Sequence, residues 1–256
     1  MGNFKSGVLK ACVSVWQLLR VLVAVILLVG LCYYVFLVMS SPKTLEGVEQ
    51  VSTQPICGQL SGRTIRVPRN YVVFWAEYEG DSSWDKNAFH NRKGCDANLA
   101  SLPMVVSWPD FQPANQSKYF SEGLRFDGLV VVVSPIKYRE FDLRSRLDSF
   151  LGTTKGKEVE GSTYVKDLGL YFVRRKDRSF PEVRNGYYWS EEGGAVQTVV
   201  ECLGEQVGEG FYNCRGEFVL SELDVLVKVG FTPEKLKDWK RIESSVEAFV
   251  LSSIEK

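Results

Sequence analysis

Hydrophobic and polar positions follow two regimes along this chain. From Val21 to Met39 there is no alternation: VLVAVILLVGLCYYVFLVM runs for nineteen residues without a charge. A helix of that length spans roughly 28 Å, close to the hydrocarbon thickness of a bilayer, so the run predicts a transmembrane helix. Residues 40–55 are rich in Ser, Pro, Thr, Gln and Glu and read as a linker. Beyond Ile56, periods of two and of three to four take over. Arg63–Val67, Tyr71–Tyr78, Leu129–Val133, Leu168–Arg174, Tyr187–Trp189, Ala195–Cys202 and Val225–Val229 read as strands. Leu143, Leu147, Phe150 and Leu151 fall on one face of a helix. Leu236, Trp239, Ile242, Val246, Phe249 and Val250 do the same on a second.

Two of these blocks resemble each other. Each opens on an aspartate, Asp127 or Asp224, and continues as a β-branched strand. Each then turns at a proline, Pro135 or Pro233, and closes with a helix. Antiparallel strands precede both blocks. The pattern predicts an α+β fold: an N-terminal transmembrane helix, then two similar antiparallel sheet-plus-helix units, 56–152 and 153–256, related by internal duplication.

Charge orients the apolar run. The stub 1–20 carries Lys5, Lys10 and Arg20 and no acidic residue, whereas Lys43 is followed closely by Glu46. This asymmetry favours a cytoplasmic stub, an uncleaved signal anchor at 21–39 and a translocated C-terminal part. A cleaved signal peptide is the rival reading; its apolar region is normally shorter and ends in small residues, unlike Phe36-Leu37-Val38-Met39. All 31 acidic residues lie beyond the anchor, with three of the 31 basic residues in the stub. The translocated part is therefore weakly acidic, a poor match for nucleic acid.

Four cysteines, Cys57, Cys95, Cys202 and Cys214, lie outside the apolar run. In a translocated domain they suggest two disulfides. Cys202 and Cys214 flank what reads as a hairpin loop and form the favoured pair, leaving Cys57 with Cys95; the other two connectivities stay open. Zinc is disfavoured, because there is no C-x-x-C and a single histidine.

That histidine, His90, would have to serve any Ser-His or Cys-His nucleophile system, and no second residue set supports it. There is no G-x-S-x-G, P-loop, G-x-G-x-x-G or H-E-x-x-H. Gly80-Asp81-Ser82 has only a superficial likeness to a lipase nucleophile block. Glu77 with Glu79 and Glu191 with Glu192 read as solvated strand and loop charges. The sequence thus predicts no catalytic residue, metal or cofactor. Aromatic residues are more suggestive. Tyr71, Phe74, Trp75, Tyr78, Trp84 and Trp108 crowd the first unit, and Arg174, Arg175, Lys176 and Arg178 form a basic turn in the second. Trp, Tyr and Arg commonly anchor protein interfaces, so Trp75, Tyr78, Trp84, Arg174 and Arg175 are the candidate partner-binding residues.

CGQLSGRTIRVPRNYVVFWAEYEGD (57–81), ECLGEQVGEGFYNCRGEF (201–218) and the ending LDVLVKVGFTPEKLKDWKRIESSVEAFV together resemble a family. It is that of single-pass periplasmic proteins found beside type VI secretion phospholipase effectors in Gram-negative bacteria. The resemblance covers most of 56–252 and rests on structural motifs. It implies an inner-membrane protein with a periplasmic domain that acts as an immunity protein: it would bind a phospholipase effector and block it without catalysis. A non-catalytic sensing or structural module of the envelope is the alternative, and a periplasmic enzyme a more remote one.

Overall fold

The computed structural model describes residues 25–31, 33–34, 54–81, 85, 90–138, 141–153, 159–177, 179–205, 208 and 210–255. The chain separates into two units, Met1–Val51 and Ser52–Lys256. In the first, residues 25–31 and 33–34 are helical and exposed, while the stub and the rest of the expected span 21–39 lie outside the described residues. Among the described residues, no helix is long and apolar enough to cross a membrane.

The second unit is mixed α+β and almost wholly antiparallel. A hairpin of β1 (Ile56–Leu60) and β2 (Arg63–Val67) stands beside a nine-stranded sheet. The sheet contains β3 (Glu77–Tyr78), β4 (Leu99–Ser107), β5 (Gly128–Pro135), β6 (Thr163–Val165), β7 (Leu170–Lys176), β8 (Arg184–Glu192), β9 (Ala195–Gly204), β10 (Phe211–Leu220) and β11 (Val225–Phe231). Its spatial order is β3-β4-β5-β11-β10-β9-β8-β7-β6. The last strand therefore enters the middle of the sheet, between β5 and β10.

The period-two pattern explains the two faces of this sheet. In β11, Val225, Val227, Val229 and Phe231 are buried, while the intervening Leu226, Lys228 and Gly230 are only half-buried. The first set joins Leu129, Val131 and Val133 of β5, Met104 and Val106 of β4, and Phe218 of β10 in the main core. A helix, α3 (Trp239–Ser252), closes this front face with Trp239, Ile242, Val246 and Val250, the 3–4 spacing that one helix face requires. The β1–β2 hairpin completes the cover with Leu60, Ile65 and Val67, and is tied to the end of α3 by Arg66 N–H to the Ser253 carbonyl at 2.9 Å.

Among the described residues, the back face is covered at its two ends. At one end α2 (Leu143–Leu151) lays Leu143 and Leu147 on Val173, Tyr187, Trp189 and Val199. Asp142 caps it, accepting from Ser145 N–H at 2.7 Å, and Gly152 ends it in the left-handed region at φ 66°. At the other end the short α1 (Gln116–Glu122) and the 3₁₀ turn Gly123–Arg125 set Tyr119 and Phe126 over Val105 and Val130. Val219 of β10 and Leu226 of β11 pack against the α2 cluster, but among the described residues of this unit no helix lies over Val132, Lys228 and Gly230 in the middle of the face.

Several expectations need correction. Tyr71–Tyr78 is not one strand. It is a 3₁₀ turn through Arg69–Tyr71, a bend at Phe74 with φ 58°, and a two-residue β3. Leu99–Ser107 forms β4, a long strand whose Pro103 and near-continuous apolar run hide the alternation. Leu236 lies in the 3₁₀ turn Pro233–Asp238 ahead of α3. Strands from both expected units, 56–152 and 153–256, run through the one sheet, with β5 and β11 as direct antiparallel neighbours, and an internal duplication is not shown. Both disulfides have the favoured pairing, Cys57–Cys95 and Cys202–Cys214, the second joining register partners on β9 and β10.

Candidate functional site

Large apolar side chains left in water mark an interaction surface more clearly than any polar feature of this domain. Phe74 and Trp75 are each 49% exposed, Phe120 is 54% and Leu124 57%. They are contiguous with partly buried rings. Phe74 stands 6.0 Å from Trp75 and 5.1 Å from Phe120, both edge-on; Phe120 lies 5.3 Å from Tyr119, and Tyr119 5.5 Å from Phe126. These are the offset and edge-to-face separations that aromatic pairs favour.

The backbone holds this ridge outward at a cost. Phe74 sits at φ 58°, where a bulky side chain is a genuine outlier. Arg69 fixes the bend, with Nη1 donating to the Val72 carbonyl and Nη2 to the Phe74 carbonyl at 2.6 Å. Gln116 Nε2 of α1 also donates to the Val72 carbonyl, at 2.9 Å. The two elements that carry the ridge are thereby joined.

The ridge runs into a groove of about 410 Å³ on the uncovered part of the back face. Tyr119, Leu124 and Phe126 wall it on one side, and Val130, Val132, Lys228 and Gly230 form part of its floor. Asn213 Nδ2 donates to the Leu124 carbonyl at 3.0 Å and so pins the wall to β10. On the side toward α2 the floor becomes ionic. Glu217, 1% exposed, accepts from Arg146 Nε at 2.9 Å and Nη2 at 3.0 Å. That hydrogen bonding raises the Arg146 guanidinium above its ordinary value. Arg215 donates to Glu201 at 2.9 Å and keeps Nε 4.0 Å from Glu217.

The sequence candidates divide between this site and other places. Trp75 belongs to the ridge. Tyr78 is half-buried and donates its hydroxyl to the Cys57 carbonyl at 2.7 Å, which ties β3 to the hairpin. Trp84 lies outside the described residues. Arg174 and Arg175 are on β7, five strands across from β5. Arg174 stacks its guanidinium 4.9 Å over the Phe211 ring, and Arg175 donates to the Glu160 carbonyl. The structure does not bring them together with Trp75. Phe120, Leu124, Lys228 and Gly230 were not singled out by sequence; the groove exists only because β11 returns to lie beside β5.

Among the described residues, the carboxylates and the histidine considered in the sequence are placed as follows. His90 is exposed, Glu77 accepts from Ser101 Oγ at 3.0 Å, and Glu79 from Asn98 Nδ2 at 2.9 Å. Asp81 is held in a turn by Asn91, which accepts from its N–H at 2.9 Å. Each contact is structural.

No family model matches the chain, and no curated protein matches it. Two solved structures are similar. Smlt3025, an immunity protein of the Stenotrophomonas maltophilia type IV secretion system, superposes with a TM-score of 0.51 at 16% identity, over 80% of this chain and 94% of its own. FrpD, an iron-regulated outer membrane lipoprotein of Neisseria meningitidis, gives a TM-score of 0.43 at 10% identity, over 79% and 93%. The first shares the fold of the Ser52–Lys256 unit.

Proposed function

We propose that this protein is an immunity-type binding protein that neutralises a toxic secreted effector by covering it, without chemistry of its own. The observation that carries the reading is the exposed aromatic ridge of Phe74, Trp75 and Phe120, held out by a strained bend and continuous with an apolar groove. A folded domain keeps such a surface in water when a partner covers it. The fold it shares with Smlt3025 supports this reading. The sequence resemblance supports a phospholipase effector delivered by a type VI system. In the same reading Val21–Met39 is an uncleaved inner-membrane anchor that holds the domain in the periplasm, on the face where a lipase would reach the bilayer.

The test is co-expression. A phospholipase effector encoded beside this gene is directed to the periplasm with and without the full chain. Survival only with the chain, together with a stable complex of the two proteins, is the expected result. Equal killing in both cases would end the immunity reading for that effector and favour a sensing or structural module of the envelope. Protease digestion of spheroplasts checks location: residues beyond the anchor should be cleaved in intact spheroplasts.

A further inference from the structure

The floor of the back-face groove carries a charge without a counterpart. On β11, Lys228 lies between Val132 of β5 and Glu217 of β10, its two register partners. Glu217 does not pair with it: both its oxygens accept from Arg146, and the Lys228 ammonium lies beyond ion-pair distance. Arg215 and Glu201 satisfy each other. Among the described residues, no carboxylate comes within ion-pair distance of Lys228, which is half-buried among apolar walls. Apart from Asn213 and the paired Arg215, the groove is therefore apolar on its sides, and it holds Lys228 as a surplus cation at its base. An ammonium in such a place attracts an anionic group that arrives with its own apolar neighbours, since desolvation strengthens the pairing.

Gly230 sharpens the picture. It sits two residues along the same strand face, and a Cβ there would meet Val130 only at ordinary contact distance, 3.6 Å. Neither a positive φ nor a close backbone approach calls for glycine at this position. What its missing side chain provides is depth in the groove floor beside Lys228.

We infer that the groove over β5, β11 and β10 is a docking site for a protein segment in which an Asp or Glu is flanked by large apolar residues. The carboxylate pairs with Lys228, one flanking side chain enters the depth left by Gly230, and the other packs on Leu124 and Phe120. In the proposed function this segment belongs to the effector, and to that extent the inference rests on that reading; the chemistry of the groove does not.

The test uses a random peptide library displayed on phage and selected on the full chain in detergent micelles. Expected peptides place an acidic residue beside Phe, Leu or Trp. Their binding should fall at least tenfold in Lys228→Gln and in Gly230→Leu. Lys228→Gln keeps the strand and avoids a like charge beside Glu217. Gly230→Leu fills the groove while adding a better strand former, so its melting temperature should not fall. Recovery of no peptide, of peptides without acidic preference, or of peptides that bind both variants as tightly as wild type overturns the inference. Sedimentation of the wild type as a dimer that Gly230→Leu dissolves would assign the groove to a second copy, and would also overturn it. The two readings separate cleanly. If the chain protects against its effector and Lys228→Gln and Gly230→Leu protect as well as wild type, immunity stands and the docking site falls. If selected peptides need Lys228 and Gly230 while the chain gives no protection, the site stands and immunity falls.

Discussion

Replacing Arg146 by methionine tests whether the ionic floor of the back face is a structural clamp. Glu217 is 1% exposed and receives two hydrogen bonds from Arg146, at 2.9 and 3.0 Å, across the gap between α2 and β10. The Arg146 side chain is itself 35% exposed. The costs of losing each partner are therefore unequal. Without Arg146, a carboxylate stays in the interior with Arg215 at 4.0 Å and its cross-strand neighbour Lys228 beyond ion-pair distance. Removing one member of a buried pair costs about 3–5 kcal/mol. Here the low end applies, about 3 kcal/mol, because Arg215 gives partial compensation and water reaches the rim of the site. Glu217→Gln leaves a guanidinium that solvent reaches and should cost only about 1 kcal/mol. The double change Arg146→Met with Glu217→Gln removes both charges and should recover most of the Arg146→Met loss, leaving a cost of about 1 kcal/mol and hence a coupling of about 3 kcal/mol in the double-mutant cycle. Urea unfolding at neutral pH measures all four proteins, with a shift in midpoint at constant slope as the criterion. An Arg146→Met cost below about 1 kcal/mol, or a double variant no more stable than Arg146→Met, would refute the argument that Glu217 depends on Arg146.

The other outcomes are as follows. Burial pushes the Glu243 carboxyl up to about 7, against hydrogen bonding from Thr198 that lowers it. The folded state thus keeps a proton that the unfolded chain releases near 4.5. Stability should fall by on the order of 2–3 kcal/mol as pH rises from that value through about 7, then level off. Glu243→Gln should flatten this slope in thermal melts, and an unchanged slope would assign it elsewhere. Opening Cys57–Cys95, which closes 38 residues, should cost about 4 kcal/mol, and opening Cys202–Cys214, which closes 12, about 3 kcal/mol on the chain-entropy scale. Serine pairs compared by urea unfolding would reverse that order if loop length does not set the cost. Phe74→Gly relieves a positive φ at an exposed site, so stability should stay within about 0.5 kcal/mol of wild type while effector protection drops. A large loss of stability with protection intact would remove Phe74 from the interface.

Much of the sheet was legible because half-buried antiparallel strands alternate. Val225–Phe231 shows that alternation throughout and Ala195–Gly204 only over its first four residues, and the sequence reading places both within a few residues. The α3 face from Trp239 to Val250 was equally plain. Leu99–Ser107 was not, since both of its faces are largely covered and its pattern is a continuous apolar run interrupted by Pro103. The bend at Phe74 was missed for another reason. Tyr71 to Tyr78 is locally strand-like, and what overrides that preference is Arg69 reaching forward to two carbonyls, a contact that no periodicity records.

The site is harder to read than the fold because it is made by order in space. Phe120 and Leu124 lie in a segment with no strong pattern, and Lys228 looks like an ordinary outward residue in an alternating strand. Their meaning comes from two facts about the sheet. β11 inserts beside β5, which sets Lys228 against Val132 rather than against solvent at an edge. The two back-face helices stop short of the centre, so among the described residues nothing covers the floor around Lys228. Had either helix been longer, Lys228 would need a carboxylate on that helix to offset its desolvation. The described chain supplies none within ion-pair distance, while it does supply one for Arg146 and one for Arg215. A back face that pairs Arg146 of α2 and Arg215 of β10 with its own carboxylates and leaves Lys228 of β11 among apolar walls has a place for an acidic side chain from another molecule. The outward aromatic ridge at the groove's edge gives that molecule something to pack against.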